Sequence, residues 1–430
     1  MLFNLDFLNT GEIWPPRSEN ERLEEYEENT NIYNCEWEKV DDYKENFKRI
    51  KDYMDPKNKV KIITLPLARD YTEKAVNLTW NNVEFNSIDS NNWDILIEKW
   101  KESQRDIIRY GCTVINKFIN VDGNWDLNII KPQLWFPVVE IDNIKNIKYH
   151  VIAYPSVYKG KDVLKIEIHS KNEIVYKTKL LKYDYIGAEI EELTKQVDIK
   201  DWDVYSISNT NDIYGRSEYE DLNDSMIEIF VRLSQTSFIL DKHACPILSV
   251  PESAATPRRD GSWFFKMTNI LLRKNNTDPQ PEFITWDGKL ENSEKMLEFY
   301  FKQYYAKTLG ASIMGSDAIT VANISSDTLR EFNKIAITKI NNFRTIYKVQ
   351  LKKILETITG EEFEVEWEDL FTDTEKETME RMKSRLETGT ISKVRAIMIL
   401  ENCTFDEANI IYQEILNENK NSDNTKEIEI

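Results

Sequence analysis

The spacing of apolar positions changes along the chain and divides it into helical and extended regions. Residues 18–55 are polar and helix-forming, with aromatics at intervals. Trp93, Leu96, Ile97, Trp100, Ile107 and Ile108 recur at helical spacing and predict a helix over 92–109. The period then falls to two. "CTVINKFI", "IKPQLWFPVVEI", "YHVIAYPSVY", "VLKIEIHS" and "EIVYKTKL" alternate and are rich in β-branched residues, with "VDGN", "YKGKD" and "SKNE" as turns. About five strands are expected, forming a small antiparallel sheet or barrel, with Gly187 and Trp202 in the connection leading out of it.

Helical spacing returns with Leu222, Met226, Ile229, Leu233 and Leu240, widened by Phe230 and Phe238, and Pro246 ends the run. Ser217 followed by Glu220 has the form of a capping box and predicts the helix start. Residues 246–288 hold five of the twelve prolines and short β-like pieces, "WFFKMTNILL" and "EFITW". A second helix is expected from about Ser293 to Leu309, with Glu291/Lys295 and Glu298/Lys302 at the stabilising i, i+4 spacing. Two helices bracketing an insertion predict a hairpin-like stalk that holds a small module away from the body. The small residues of 310–326 interrupt the pattern, and a long helix follows from about Asp327 to Ile358. "FEVEWE" reads as a strand, 373–418 as two or three helices broken near Gly389, and the polar tail 419–430 as disordered.

The chain has 430 residues, 30% of them charged, and a net charge of −19 spread along its length. A uniform acidic excess argues against tight adhesion to a nucleic-acid backbone, which calls for a basic face. It leaves room for a protein past which DNA must slide without sticking. Cys35, Cys112, Cys245 and Cys403 form no CxxC pair and read as free thiols in a reducing compartment. The N-terminal "MLFNLDFLNTGEIW" does not have the form of a signal peptide, and no apolar run approaches the ~20 residues of a membrane span. A soluble, intracellular protein is therefore expected. Phosphate-cradling GxxxxGK[ST], HExxH and clustered Cys/His patterns are absent from the sequence. His169, in "LKIEIHSK", reads as a strand residue. Nothing in the sequence points to catalysis, a cofactor or a metal.

"IYGRSEYEDLNDSMIEIFVRLSQTSFILDKHACPIL" (213–248) resembles the signature of the portal proteins of tailed bacteriophages, of the siphophage type. In that family a Gly-[Arg/Lys]-Ser turn opens a stem helix running toward an apolar Pro-Ile-Leu segment. "FITWDGKLENSEKMLEFYFKQYYAKTLGAS" (283–312) is similar to the second stem helix and the tunnel-loop region at its end. "ISSDTLREFN" (324–333) occupies the place of the next helix start, with Ser326 and Thr328 where the family has glycine and alanine. "FEVEWEDLFTDTEKETMERMKSRLETGTIS" (363–392) matches the usual strand, acidic Trp-x-Asp and broken helices. The resemblance covers 107–418 in order, and the order is more specific than any one motif.

The resemblance implies an α+β, mostly helical portal fold with a small antiparallel β-domain in the wing. Its parts would be a wing (1–215 and 326–370), a stem (216–244 and 289–309), a clip (245–288), a tunnel loop (310–325) and a crown (371–418). It implies a homo-oligomeric ring, twelvefold in the mature particle, at one capsid vertex of a virion assembled in the host bacterial cytoplasm. Double-stranded DNA would pass through the ring. Its partners would be the terminase large subunit, which hydrolyses ATP, the major capsid and scaffolding proteins, and the head-tail adaptor, with no membrane involved. Twelve chains of −19 would carry about −228, a field that disfavours phosphate adhesion.

Ile313, Met314, Asp317, Ile319 and Val321 are expected in or near the DNA-facing loop, an ordinary surface loop being the plainer reading. Lys295, Lys302 and Lys307 read either as cationic rings toward the duplex or as solvated partners of Glu291 and Glu298. Arg258, Arg259, Arg273 and Lys274 in the clip read as a docking patch for an acidic partner or as solvating charge. Phe299, Tyr300, Tyr304 and Tyr305 read as packing between stems or onto the wing. Gly215, Arg216, Ser217 and Glu220 mark the wing–stem junction, with Arg216 anchored to that junction or to a neighbouring subunit's acid. A capsid or neck ring protein that passes no DNA, and a metal-dependent nuclease, are the alternatives.

Overall fold

Leu96, Trp100, Ile107 and Ile108 lie on the buried face of one helix, as their spacing requires. The computed structural model describes residues 1–53, 62–86, 93–119, 125–196, 202–244, 247–251, 270–273, 282–284, 290–314, 330–331, 333–359, 364–370 and 375–426. The first half runs α1 (Asn20–Asn34), α2 (Asp41–Tyr53), α3 (Leu67–Thr79), β1 (Val83–Asn86) and α4 (Trp93–Tyr110). Strands follow: β2 (Cys112–Ile119), β3 (Trp125–Ile130), β4 (Trp135–Val139), β5 (Ile147–Tyr158), β6 (Lys161–His169), β7 (Glu173–Lys182), β8 (Tyr185–Gln196) and β9 (Val204–Ser208). The second half holds α5 (Asn223–Ala244), β10 (Ile247–Pro251), β11 (Ile270–Arg273), β12 (Glu282–Ile284), α6 (Leu290–Lys307), the single turn α7 (Ala311–Met314) and α8 (Lys334–Thr359). It closes with β13 (Glu364–Trp367), α9 (Glu375–Glu387), α10 (Lys393–Leu400) and α11 (Phe405–Lys426). The fold is α+β and mostly helical, as expected.

The extended region is larger than the alternation suggested. β4 to β8 form a five-stranded antiparallel meander, and β3, β2 and β9 form a separate antiparallel sheet. Gly187 lies inside β8 rather than in a connection. β8 escaped the reading because most of its side chains are exposed, so its two faces do not alternate in polarity. The N-terminal segment crosses the meander from edge to edge. Val139 donates its N–H to Leu2 O (2.9 Å) on the β4 side, and Gly11 donates to Ile186 O (2.7 Å) on the β8 side. Leu2, Leu8 and Trp14 fill the core beneath it with Phe136, Val151 and Ile166.

Between the two sheets Trp135 Nε1–H donates to His150 Nδ1 at 3.2 Å, and His150 stands opposite His169 in the β5–β6 register. Burial and the neighbouring His169 push His150 down to about 3, so it is neutral at pH 7 and serves as packing. His169 is a buried strand residue.

The main core joins α3, α4, α5, α6 and α8. At one end, Trp80 meets Trp100 (6.4 Å), Tyr347 (4.9 Å) and Trp367 (6.1 Å), tying α3, α4, α8 and β13 together. β13 pairs antiparallel with β1 across nearly 280 residues of sequence, so the "FEVEWE" strand closes onto the N-terminal half. α8 is described from Lys334, with Arg330 and Glu331 helical ahead of it and the expected start at Asp327 outside the described residues, and α11 extends through Lys426 into the stretch expected to be disordered.

Arg344 on α8 sets where α3 ends. Its guanidinium donates to the carbonyls of Thr79 (3.3 Å), Leu78 (3.4 Å), Asn81 (3.4 Å) and Glu368 (2.9 Å). A fixed cation there satisfies the orphan carbonyls of a helix C-terminus and opposes the dipole's negative end. Arg344→Met keeps the aliphatic stem but leaves these acceptors buried without a donor. It is expected to lower unfolding free energy by about 2–4 kcal/mol in urea titrations.

Candidate functional site

The segment from Asn209 to Leu222 connects the β-sheets to α5, and it is docked by backbone contact. Gly111, which ends α4, has φ +83°, and Gly215 has φ +69°. A Cβ built on Gly215 would lie 2.2 Å from Gly111 O, and one built on Gly111 would lie 2.2 Å from Arg216 N. The two main chains therefore touch with no room for a side chain on either. Asn209 closes the contact from below: its N–H donates to Gly111 O (3.0 Å), its Nδ2 to Arg216 O (2.8 Å), and its Oδ1 accepts from Arg216 N (3.1 Å). Glu218 N–H donates to Ile108 O (3.0 Å), which extends the docking along α4.

This docking replaces the expected capping box. Ser217 Oγ accepts from Tyr219 N at 3.1 Å, and the Glu220 carboxylate takes the Arg216 guanidinium, whose other arm reaches Asp221 at 3.0 Å. Residues 218–222 make a turn, and α5 starts at Asn223, six residues after Ser217. Arg216 is thus held within its own junction, on Glu220 and Asp221. Glu218 also receives Lys339 of α8 at 2.7 Å, and Tyr219 is buried with its hydroxyl 2.7 Å from Thr72 of α3. Asn209 and Gly111 were not singled out from sequence. Gly111 carried a signal, a glycine just past the last helical residue; Asn209 carried none beyond an Asn-rich turn.

From that anchor α5 and α6 run as an antiparallel pair, and the groove between them is lined by Arg232, Thr236 and Ile239 on α5 and by Asn292 and Met296 on α6. α5 has 22 residues and α6 has 18, about 33 and 27 Å at ~1.5 Å per residue. Burial is graded along both. Met226, Ile229 and Phe230 near the start of α5, and Tyr304 near the end of α6, are buried in the main core. Toward the far end Leu240 (47%), Met296 (44%) and Phe299 (51%) are exposed. The aromatic stripe divides accordingly: Tyr304 donates its hydroxyl to Leu67 O (2.7 Å), Tyr300 and Tyr305 pack against the core, and Phe299 faces outward. Beyond the exposed end lies a three-stranded sheet, with β10 parallel to β11 and antiparallel to β12.

The expected site residues are not gathered in one place. Lys295 pairs with Glu291 at 2.5 Å, Lys302 is exposed on the same helix, and Lys307 donates to Asp221 O at 2.8 Å, joining α6 to the junction. Arg273 is the last residue of β11, in register with Pro251. Arg258, Arg259 and Lys274 lie outside the described residues, as do Asp317, Ile319, Val321, Ser326 and Thr328. Ile313 and Met314 belong to the helical turn α7 and pack against the main core, with Lys74 Nζ donating to Ile313 O at 3.0 Å. At its base the 310–325 stretch is therefore fastened to the body. Among the described residues no group of three or more His, Cys, Asp or Glu is placed to hold a metal ion, and no helix is long and apolar enough to cross a membrane.

No protein-family model and no curated protein matches the chain. Among solved structures, the chain is similar to one from the virion of the native gene transfer agent particle, at 11% identity and a TM-score of 0.43. It is also similar to one from the neck of the empty gene transfer agent particle computed with sixfold symmetry, at 10% identity and a TM-score of 0.46. Each alignment covers 80% of this chain and 91% of the other.

Gly215→Ala is expected to destabilise by about 3 kcal/mol or more, a left-handed backbone term of about 1–2 added to overpacking of about 1–3. Gly160 has a similar φ of +73° but open space around its Cβ position, so Gly160→Ala isolates the backbone term at about 1–2 kcal/mol. Urea midpoints of the two variants separate the steric cost of the junction from the conformational one.

Proposed function

We propose that the chain is the portal subunit of a tailed-phage-type particle: a homo-oligomeric ring at one capsid vertex through which double-stranded DNA passes. The observation that carries this reading is the pair α5 and α6, buried at the body and exposed toward a small sheet at the far end. That arrangement fits a stem and clip, and 310–314, which follows α6 directly, fits the root of a tunnel loop. The first half of the chain with α8 and β13 would be the wing, and α9, α10 and α11 the crown.

In this reading the exposed Leu240, Met296 and Phe299 pack between neighbouring stems. A lone stalk in water gains nothing from exposed apolar side chains, whereas a ring buries them on assembly. The clip would dock the terminase and later the head-tail adaptor, with Arg258, Arg259, Arg273 and Lys274 toward an acidic partner. The wing would meet capsid and scaffolding proteins. The net charge of −19 supports a conduit, because each firm Lys or Arg contact to phosphate would act as a brake on a moving duplex.

Electron microscopy of the purified full chain tests the proposal. Rings with an axial hole wide enough for a B-form duplex are expected, and monomers under all conditions of salt and concentration would overturn it. Incubation with duplex DNA and magnesium is expected to leave the DNA intact. Cleavage that one Asp or Glu substitution abolishes would assign the nuclease reading instead.

A further inference from the structure

α8 differs in charge from the rest of the chain. Residues 334–353 contain five lysines and Arg344 and no Asp or Glu, in a protein with 75 acidic residues among 430. Its inner face, Ala336, Ile340, Phe343, Tyr347 and Leu351, is buried in the main core. Its outer face presents Asn341, Thr345, Lys348, Val349 and Lys352 at helical spacing, all exposed, with Lys352 also 3.6 Å from Glu356 one turn on. Val349 is 66% exposed at the middle of this stripe, with lysines on either side of it.

The opposite imbalance stands on α1. That helix carries Glu21, Glu24, Glu25, Glu27 and Glu28 and one cation, Arg22. Arg22 is turned inward, on Glu19 at 2.8 Å and on the carbonyls of Pro132 and Trp135. Partial burial, followed by the neighbouring Asp42, Asp41 and Glu25, raises Glu28 above the ordinary carboxylate range. Burial and the nearby Glu220 and Glu21 raise Glu25. α3 packs against both α1 and α8, so a helix stands between the acidic and the basic faces within one chain.

We propose that the outer face of α8 seats against the acidic face of α1 on a second copy of the chain. The inference rests on the ring reading and names the contact that would close the ring. Two different, complementary surfaces on one subunit make a heterologous contact, the kind from which rings are built. Subunits of net charge −19 repel one another at long range, so assembly needs a local pairing of opposite sign. A neighbouring protein surface also accounts for Val349, since a phosphate backbone gives a β-branched side chain little to pack on.

The test uses the full chain, with assembly followed by mass photometry and folding by circular dichroism. Lys348→Glu with Lys352→Glu is expected to raise the concentration for half-assembly at least tenfold. Glu24→Lys with Glu28→Lys is expected to do the same, and all four changes in one chain to restore assembly to within threefold of wild type. Val349→Asp, which alters the apolar centre without removing a lysine, is expected to weaken assembly as well. Rings that form equally well in both charge-reversed variants would overturn this contact while leaving the portal reading standing; wild-type monomers would overturn both. Failure of the fourfold variant to recover beyond the doubles would also overturn it. Normal assembly of the lysine variant with lowered, salt-sensitive affinity for duplex DNA would place DNA on this face instead of a neighbour.

Discussion

Much of the architecture turns on the contact between the main chains of Gly111 and Gly215. α4 ends at the first of these glycines and the approach to α5 bends at the second, and neither position has room for a Cβ. Because backbone meets backbone, the spacing is set by atoms that have no rotamers, and Asn209 locks it with three hydrogen bonds. A side-chain contact in the same place could relax by a change of χ angle. This one can relax only by moving α4 or the chain leading to α5, so the direction in which the stalk leaves the body is inherited from the helix beneath it.

The surrounding groups repeat that logic with polar atoms. Glu218 joins Ile108 of α4 through its backbone and Lys339 of α8 through its carboxylate, while Tyr219 reaches Thr72 of α3. Lys307 at the end of α6 caps the arrangement on Asp221 O. Both stalk helices are therefore referred to the same small junction. A load applied to the stalk would pass into α3, α4 and α8 through short bonds.

The charge distribution is organised at a longer scale. The chain as a whole is acidic, yet α8 lacks an acid over twenty residues and α1 lacks an outward cation. The α5–α6 pair carries exposed apolar side chains at the end distant from the core. Each feature is unfavourable or idle in an isolated subunit and would be relieved by the proposed contact between copies.

The helices α4, α5, α6 and α8 were legible because each buries one stripe in a single core, and a stripe of period 3.6 is visible without knowing what covers it. The pairing of α5 with α6 was legible for the same reason, from two such stripes bracketing a proline-rich insertion. β8 was not, because its strand character comes from pairing with β7 and not from a buried face of its own. The start of α5 was misplaced because Ser217 and Glu220 satisfy a local capping rule, whereas docking on α4 gives their side chains other partners, Tyr219 N and Arg216. The sequence by itself determined the helices α4, α5, α6 and α8 and the acidic balance of the whole, while α3 carried no reading of its own. Only the tertiary structure decided how the junction is built, which strands share a sheet and which charged side chains face outward, since those depend on contacts between residues distant in the chain, to which local periodicity is blind.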